Sequence, residues 1–598
     1  ISLLEEMKMS YLLLAPTGKA RVRMEQAIGL SSRKDPKVKA FNVAQFLIKS
    51  KRYNPLTGRF LLNGESKQKV AETVIIDESS MLTEEMLAAL LESMKGYKRL
   101  ILVGDQFQLP PIGTGRPFVD IITELKPENI DYKFPRVGPC YAELTQNRRQ
   151  IGVKRDDIQL ANWFKGGSVE SSEDEVFDIL TGAKTSDFVQ IHCWEEENDF
   201  KKLLFKIIEQ ELSLKNGNDY KTFNNSLGAI NGYFKVGSAI KAEEWQILSP
   251  VRNRTHGVSE INRMIHQRFK GFYARKCQDD YNKPNPAGIE GIVWGDKVIN
   301  IKNQFLGAWN TNKKEPEEGY LANGEIGLLV EISKIKNKFF ALKFEFASQP
   351  GITYSFFNSL QPMHSKFKYQ DDDESSSLEL AYALTIHKAQ GSEFGKVILV
   401  IPRNSFNLSR ELIYTALTRQ KQGIIILYQG DPQELMNYSD EKWSETLRRF
   451  TNLFQAPKPR EVKDRTDLFL EDRLINRTLR GEDVRSKSEL IIANMLHSEN
   501  IDYEYEPVIE FNNEVRRPDF VIYNDDSGET YYWEHLGMCR NREYRDGWRR
   551  KEQWYRKNQI LPYKEGGGEN GVLLISKDTK RGGIDSKEIE KLIKIIKA

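Results

Sequence analysis

Three short apolar segments of the chain end in polar residues of the kinds that bind phosphate groups or metal ions. They span residues 11–15, 73–76 and 99–103, and the second is followed directly by Asp77 and Glu78. Continuous apolar runs of this length are typical of strands buried in parallel sheets, whose carboxyl ends form the ligand site of an open α/β fold. The pattern therefore predicts an α/β protein with a binding site at one sheet edge.

The polar residues at these strand ends suit nucleotide hydrolysis. Asp77 can hold Mg²⁺ through water, while the adjacent Glu78 can polarise the water that attacks ATP. Gln108, after the third apolar segment, carries an amide that can sense the terminal phosphate. Arg149, in the segment 144–150, offers a planar guanidinium that can bind a phosphate oxygen bidentately. The alternative for Asp77 and Glu78 is an acidic strand end that is simply solvated.

Two further segments, 384–394 and 412–419, complete a series of motifs. In order and residue type, the chain resembles motifs Ia, II, III, IV, V and VI of superfamily 1 helicases, and the variants APTGKA, DESSM, GDxxQLPP, TIHKAQGSEF and YTALTR resemble the RecD-like branch most closely. The resemblance covers about residues 1–435. It implies an α/β fold with two RecA-like parallel-sheet domains of the P-loop NTPase class, which use ATP and Mg²⁺.

The resemblance also implies residue roles. Asp77 and Glu78 would be the Walker B pair, with Mg²⁺ at Asp77, and Gln108 would couple hydrolysis to motion. Arg149 and Arg419 would reach the γ-phosphate from the second RecA-like domain, so that hydrolysis is gated by closure of the cleft. Nucleotide-binding roles would fall to Asp105, Gly391 and Glu393, the last at the ribose, and contacts to the single-strand backbone to Pro16, Thr17, Lys19, Thr385, His387 and Lys388.

One departure from the family pattern concerns the phosphate-binding loop. The 598 residues contain no G-x-x-x-x-G-K-[ST] sequence, which the family places just before the helix that leads into motif Ia. That loop holds the β and γ phosphates and helps to hold Mg²⁺. We expect the chain as printed to hydrolyse ATP poorly or not at all. A fragment whose parent has the loop and a natural protein without motor activity are the two explanations.

The segments between and after the motor motifs predict additional modules. Residues 51–70 read as a β-hairpin, which the resemblance assigns as a strand-separating pin; an ordinary surface hairpin is the alternative. The predicted domains are a first RecA-like domain at 1–138, a second at 139–300 and 379–435, an SH3-like β-barrel insert at 301–378, a helical linker at 436–480 and a C-terminal domain at 481–598.

The C-terminal segment resembles the PD-(D/E)XK nucleases, whose fold is that of α/β restriction endonucleases. The resemblance rests on a helix acid, Glu489, on Pro-Asp519, and on Glu534, and paired acids of this type bind the Mg²⁺ that activates water against a phosphodiester. Leu536 stands where the family usually has lysine, and Lys551 on the following helix is the candidate replacement. The alternatives are surface acids on a hairpin and a domain that only binds DNA.

Composition limits the remaining possibilities. Without a run of eighteen apolar residues the chain is not expected to span a membrane, and a net charge of +3 means that DNA must be bound by local basic tracks. Four cysteines without a CxxC pair fit a reducing cytoplasm. We expect an ATP-dependent DNA helicase, running 5′ to 3′ by resemblance, fused to a Mg²⁺-dependent nuclease that acts on single-stranded and duplex DNA in repair or in defence against foreign DNA. A catalytically deficient DNA-binding subunit with a degenerate nuclease module is the alternative, and an RNA helicase is less favoured.

Overall fold

The computed structural model describes the chain in two compact units, residues 1–449 and 450–598. Within them it describes residues 1–27, 40–54, 58–62, 67–145, 155–166, 178–180, 182, 184–279, 283–336, 339–360, 376–403, 405, 407–449, 451, 453–454, 476–480, 482–484, 486–512, 514–524, 527–536, 542–577 and 585–597. Arg149 lies outside these residues. In the described part of the chain no helix is both long enough and apolar enough to cross a membrane.

The first unit begins with a four-stranded parallel sheet that contains all three apolar segments. Its strand order is Ala40–Asn42, Tyr11–Ala15, Thr73–Ile76 and Arg99–Leu102. The associated helices are Ser2–Glu6, Gly18–Ala27, Val43–Lys49, Glu84–Ser93 and Pro117–Leu125, with short 3₁₀ turns at Ser79–Met81 and Ile130–Tyr132. The predicted parallel α/β architecture is therefore confirmed for this region.

A second, five-stranded parallel sheet is assembled from segments far apart in the sequence. Its order is Ala383–Thr385, Trp245–Ser249, Phe394–Ile401, Gln420–Gln429 and Val189–Trp194. Its described helices are Asp156–Asn162, Glu197–Glu211, Tyr220–Ser226, Val258–Asp279 and Arg410–Leu417, and 3₁₀ turns lie at Trp163–Lys165, Ser238–Glu243 and His387–Ala389. The central strands are buried on both faces, as expected for a parallel sheet covered by helices.

A seven-stranded antiparallel sheet is inserted within this second domain. Its order is Glu315–Leu321, Gln304–Asn310, Ile352–Phe356, Phe339–Phe346, Ile326–Lys336, Lys297–Asn300 and Leu378–Leu380. The inserted sheet therefore also includes Lys297–Asn300, which lies before the predicted boundary at 301, and Leu378–Leu380, which extends past the predicted boundary at 378. Its assignment as an SH3-like barrel stays a prediction.

Two smaller predictions can be compared with the structure. A hairpin is present within residues 51–70, since Tyr53–Asn54 pairs antiparallel with Arg59–Phe60, although its role as a pin stays a prediction. Residues 436–449, predicted as linker, instead fold with the first unit through short helical turns at Pro432–Ser439, Glu441–Trp443 and Glu445–Arg448. Arg449 fixes this end because its guanidinium donates to the carbonyl of Pro111 at 2.7 Å and to that of Gly113 at 2.8 Å.

The second unit contains a five-stranded mixed sheet covered by helices. The strand order is Glu504–Tyr505, Phe520–Tyr523, Thr530–Leu536, Val572–Lys577 and Leu561–Pro562; the first two pairings are antiparallel and the last two are parallel. The helices are Lys487–Ser498, Arg542–Lys557 and Ser586–Lys597, with a 3₁₀ turn at Tyr563–Glu565. Two short hairpins pair Asn476–Arg477 with Asp483–Val484 and Ile509–Phe511 with Glu514–Arg516.

A buried ionic network joins the insert to the long helix Val258–Asp279. The Asp296 carboxylate accepts a hydrogen bond from the hydroxyl of Tyr382 at 2.6 Å and lies 3.1 Å from Nε2 of His266. Burial by itself would lower the pKa of His266, but the carboxylate of Asp296 outweighs it and raises that pKa above the usual value. Removing one partner of a buried pair leaves the other charge without compensation.

We therefore expect Asp296→Asn to lower the free energy of unfolding by about 3 kcal/mol, measured by chemical denaturation. The loss should be largest where both groups are charged, and it should shrink as pH rises through the raised pKa of His266, because the pair then no longer exists in the native protein. Asp440→Asn, at an exposed aspartate, is the control and should change stability by less than about 0.5 kcal/mol. A loss that stays constant across the pH range would contradict the role of the pair.

Candidate functional site

Asp77 and Glu78 follow the central strand Thr73–Ile76 at its carboxyl end. Glu78 has a left-handed backbone with φ of 52°, and its N–H donates to Oδ1 of Asp77 at 2.9 Å. This turn gives the two neighbouring carboxylates different directions from a single strand end. Burial raises the pKa of Asp77, and no ion pair is formed by Asp77 with the described residues. A half-buried carboxylate that forms no direct ion pair among the described residues fits the Mg²⁺ site that the sequence predicted there.

The adjacent strand delivers the predicted phosphate sensor to the same edge. Gln108 donates from Nε2 to Oδ2 of Asp105 at 3.3 Å, and Oδ1 of Asp105 accepts the N–H of Phe107 at 3.0 Å. Gly104 begins this loop where no side chain fits, because a Cβ there would lie 2.9 Å from the Phe118 ring. Asp105 thus shapes the loop that carries Gln108.

The second domain grips this loop directly. The hydroxyl of Tyr414 donates to Oδ2 of Asp105 at 2.9 Å, and the Leu109 N–H donates to Oγ1 of Thr415 at 2.8 Å. Nε2 of Gln390 also donates to the carbonyl of Leu109, at 3.2 Å. We call residues 105–109 the sensor loop. Three hydrogen bonds therefore join this loop to the segments 384–394 and 412–419 of the second domain.

Arg419 lies buried beside the same cleft. Its guanidinium donates to the carbonyls of Thr415 at 2.9 Å and Ser392 at 3.2 Å, which fixes it to its own domain. Burial lowers the pKa of Arg419, although the Glu78 carboxylate opposes that shift. Burial likewise raises the pKa of Glu78, and Arg419 opposes it. The structure therefore brings Asp77, Glu78, Gln108 and Arg419 together at one cleft.

Arg23 is a candidate that sequence reasoning missed. Its guanidinium lies 3.2 Å from the Glu393 carboxylate, which also lies 3.6 Å from Nζ of Lys421. The positive charge of Arg23 also lowers the pKa of both Asp77 and Glu78 against the effect of burial. It belongs to the helix that follows motif Ia, where the spacing gave no reason to select it. Glu393, predicted at the ribose, is thus tied to cations from both domains.

One predicted strand contact of motif Ia, Thr17, lies close to motif V of the second domain. Gly391 has φ of +68°, and a Cβ there would lie 3.3 Å from Oγ1 of Thr17. Pro16, adjacent to Thr17, is half-buried. In motif V the N–H of Lys388 donates to Oγ1 of Thr385 at 3.2 Å. Thr17 of the first domain therefore lies close to Gly391 of the second, a residue that the resemblance assigned to nucleotide binding.

Two cations, Lys388 of motif V and Arg252, are paired with a single carboxylate, that of Glu379. We call Arg252, Thr385 and Lys388 the strand track. Nζ of Lys388 lies 2.8 Å from one oxygen of Glu379, and Nη2 of Arg252 lies 3.0 Å from the other. The side chains border a small hollow together with Thr385, while His387 is half-buried nearby. The Glu379 carboxylate therefore holds the two cations close to each other.

Lys19 differs from the other predicted strand contacts. Its side chain is 6% exposed, and its ammonium group is paired with Glu243 of the second domain. Burial lowers the pKa of Lys19 in spite of this pair. The structure presents Lys19 as a contact between domains, and its role in DNA binding stays a prediction.

In the second unit, sheet register brings the predicted nuclease acids together. Phe520 pairs with Trp533, which places Asp519 opposite Glu534 on the neighbouring strand. The His535 N–H donates to Oδ2 of Asp519 at 2.6 Å. Burial, reinforced by the charge of Glu534, holds the pKa of Asp519 well above its usual range. Two close carboxylates that resist ionisation together fit a divalent cation, whose charge would stabilise both.

Lys551 reaches this pair from the helix Arg542–Lys557. Its Nζ lies 2.6 Å from Oε1 of Glu534 and donates to the carbonyl of Arg517 at 2.6 Å. Tyr555, one turn further along the helix, donates its hydroxyl to the same Oε1 at 2.6 Å. Tyr555 was not selected from the sequence, although the four-residue spacing from Lys551 could have indicated a shared helix face.

Glu489 is linked to the other predicted metal ligands of this unit, Asp519 and Glu534, less directly than those two are linked to each other. Its Oε2 accepts a hydrogen bond from the Tyr505 hydroxyl at 2.6 Å, and its charge raises the pKa of Asp519 further. Among the residues that the structure describes, no cluster of three His, Cys, Asp or Glu side chains has the geometry of a metal site. The donor set that fits a cation is therefore the Asp519 and Glu534 pair.

Two protein-family models match the first unit. Residues 2–170 match an AAA domain, and residues 380–427 match the UvrD-like helicase C-terminal domain. The first match contains the Asp77 and Glu78 strand end and the sensor loop, and the second contains Arg419.

Curated relatives point in the same direction. The chain is 31% identical over 538 residues to an uncharacterised protein of Methanocaldococcus jannaschii, covering 87% of this chain and 41% of that protein. It is 25% identical to the RecBCD enzyme subunit RecD of Haemophilus influenzae, over 74% of this chain and 64% of the relative. It is 24% identical to the ATP-dependent RecD2 DNA helicase of Deinococcus radiodurans, over 68% of this chain and 41% of that protein. The chain thus spans less than two thirds of each relative, and the matches support the RecD-like superfamily 1 assignment.

The position of Glu379 generates a test of the strand track. We expect Glu379→Gln to tighten binding of single-stranded DNA severalfold at low salt and to steepen the salt dependence, because Arg252 and Lys388 lose their internal counter-charge. Fluorescence anisotropy over a salt series measures both effects. Glu331→Gln, at an exposed acid of the insert, is the matched control. Weaker binding by Glu379→Gln would show that DNA does not compete with this carboxylate.

Proposed function

We propose that the chain forms the motor of an ATP-dependent DNA helicase or translocase, moving 5′ to 3′ by family resemblance, fused to a Mg²⁺-dependent DNA nuclease. The observation that carries the motor proposal is the sensor loop, which bears Gln108 in one domain and is held by Tyr414 and Thr415 of the other. Repair of DNA or defence against foreign DNA would provide substrates for both activities. ATP, Mg²⁺ and DNA are the ligands that the proposal requires.

Gating by cleft closure is the proposed mechanism of the motor. Asp77 would hold Mg²⁺, and Glu78 would orient the attacking water at the γ-phosphate. Arg419 would stabilise the charge that develops in the transition state, but only when the two domains are together. Since the 598 residues contain no G-x-x-x-x-G-K-[ST] sequence, we propose that they bind ATP weakly and hydrolyse it slowly by themselves.

The nuclease proposal rests on Lys551 reaching Glu534 at 2.6 Å. This restores the lysine that the usual motif position lacks, because Leu536 stands there. A Mg²⁺ ion held by Asp519 and Glu534 would polarise the phosphodiester and activate a water molecule. Lys551 would orient that water and stabilise negative charge on the phosphate. Tyr555 would fix one oxygen of Glu534, which leaves the other oxygen for the cation.

The motor proposal predicts that nucleotide binding depends on Arg419 from the second domain. Arg419→Ala should weaken binding of a fluorescent ATP analogue about tenfold or more, because a charge-assisted contact to phosphate is lost. Titration by fluorescence measures this directly and does not require hydrolysis. Arg403→Ala, at an exposed arginine of the same domain, is the control. Equal affinities of Arg419→Ala and the unmodified chain would place the nucleotide away from this cleft.

The nuclease proposal predicts that Asp519→Ala and Glu534→Ala each abolish Mg²⁺-dependent cleavage of DNA while DNA binding is largely kept. Lys551→Ala should lower the cleavage rate at least about a hundredfold, as expected for loss of an electrostatic contact to the reacting phosphate. Glu529→Ala, an exposed acid on the same hairpin, should cleave normally. Cleavage that survives both carboxylate substitutions would refute the assignment, and an unmodified chain that binds but never cleaves DNA would favour the degenerate module.

A further inference from the structure

Five aromatic side chains form a continuous row on the outer side of the second parallel-sheet domain. The row consists of Tyr220, Phe272, Tyr273, Trp294 and Tyr233, with neighbouring ring centroids 6.0–6.3 Å apart from Tyr220 to Tyr233. We call it the aromatic row. Tyr220 and Phe272 are stacked nearly parallel, with an angle of 14° between their planes.

Three side chains of the aromatic row are exposed to solvent and are not part of the hydrophobic core. Tyr233 is 67% exposed, Phe272 57% and Tyr220 45%. Within the residues that the structure describes, the hydroxyls of Tyr220, Tyr233 and Tyr273 form no hydrogen bond. Contiguous exposed aromatic surface of this kind marks a binding site in a soluble protein.

A basic hollow lies next to the aromatic row. Its lining includes Lys201, Lys202 and Lys206 on one helix and Arg268 on the helix Val258–Asp279. In the part of the chain that the structure describes, the three lysines have no ion-pair partner. The nearby acid Glu209 is already paired with Arg268 at 2.6 Å. The hollow therefore keeps an excess of positive charge.

The hollow and the row are parts of one surface. Nε of Arg268 donates to the carbonyl of Gly217 at 2.8 Å, which anchors the loop that leads into Tyr220. Phe272 follows Arg268 by four residues on the same helix, so both side chains lie on one helix face. Lys221 adds another exposed cation, since it lies against Gly232 in the turn that precedes Tyr233.

We infer that this surface binds single-stranded nucleic acid, with bases stacked on the aromatic row and phosphates in the basic hollow. The combination of exposed rings and unpaired cations is the one by which proteins hold single strands without reading their sequence. A neutral protein surface would leave the lysines without a counter-charge, and an acidic one would leave the ring faces without a stacking partner. The inference rests on the proposed function, because it takes the ligand of the motor to be a nucleic-acid strand.

The position of this surface relative to the strand track indicates its role as a second contact for the strand. Helix Val258–Asp279 starts beside that track, where Ser259 borders the same hollow as Thr385 and Lys388. Phe272 lies thirteen residues further along, which is about 20 Å at 1.5 Å per residue. At 3.6 residues per turn the two positions are roughly 220° apart around the helix axis, so a strand bound at motif V would pass around the helix to reach the aromatic row. This second contact would retain the strand while the motor groove releases it.

The test compares short and long oligothymidylates on the full 598-residue chain. A strand of about 4 nucleotides spans roughly 14 Å at 3.4 Å per nucleotide and can fill only one site, whereas one of about 20 can reach both. The double variant Tyr233→Ala with Phe272→Ala should bind the long strand about tenfold more weakly and the short strand nearly unchanged. Lys202→Ala with Lys206→Ala should weaken long-strand binding and flatten its salt dependence. Fluorescence anisotropy measures both series.

Matched variants separate stacking from folding. Tyr132→Ala removes an even more exposed aromatic from the first domain, and Lys442→Ala removes an exposed lysine; neither should change binding. Tyr233→Trp with Phe272→Tyr should restore long-strand affinity, since the rings are kept. 2-Aminopurine placed at successive positions of the long strand should lose fluorescence on binding to the unmodified chain, and the double alanine variant should abolish that loss.

Each other result has a defined meaning. Long-strand affinity within twofold of the unmodified chain in the double alanine variant overturns the inference while leaving the motor track intact. Conversion of a dimer to a monomer by that variant, without change in DNA affinity, would assign the surface to a second copy of the chain and also overturns it. Failure of the unmodified chain to bind even the short strand would refute the proposed function, and the inference with it.

Discussion

The grip of the second domain on the sensor loop is the contact on which the proposed motor depends. Tyr414 and Thr415 lie on the short helix Arg410–Leu417, and Arg419 follows directly after it. The same helix end therefore holds Asp105 and Leu109 of the first domain and presents the guanidinium that faces Glu78. In the proposed motor, this helix would couple the position of the sensor loop to the position of the Arg419 guanidinium.

Burial explains why such a cleft can respond strongly to ligands. The carboxylates of Asp77 and Glu78 and the guanidinium of Arg419 all have a pKa displaced toward the neutral form by burial. Charges in this environment are poorly solvated, and their interactions with a bound phosphate or cation are correspondingly less screened. The pair formed by Asp519 and Glu534 shows the same effect, since burial raises the pKa of both carboxylates and Lys551 and Tyr555 lie beside them. In both places the fold concentrates charge where a ligand would neutralise it.

Much of this could be predicted from the sequence, because strand periodicity and strand ends are local features. The strand exits at Asp77 and Glu78 and the need for Lys551 to replace the missing lysine were visible in the residue pattern. Arg23, Glu379 and Tyr555 were not, since each acts through a contact made only after distant segments come together. The linker boundary was wrong for a similar reason: Ser444 and Glu445 both donate to Glu411, 33 and 34 residues earlier, and this long-range contact binds residues 436–449 to the first unit. Lys19, selected by motif type, lies against Glu243 because the domains close over it.

The central claim is that nucleotide and single-stranded DNA act on the same pair of domains. Thr17 of the first domain lies close to Gly391 of the second, and Asp105 of the sensor loop accepts a hydrogen bond from the Tyr414 hydroxyl of the second domain. Ligands that both favour closure must strengthen each other by an equal factor. Affinity for an ATP analogue, titrated with and without saturating oligothymidylate, together with the reverse titration, measures that factor. We predict mutual tightening of about fivefold or more, the same in both directions. A factor of one in both titrations would show that the two sites are not coupled and would contradict the account.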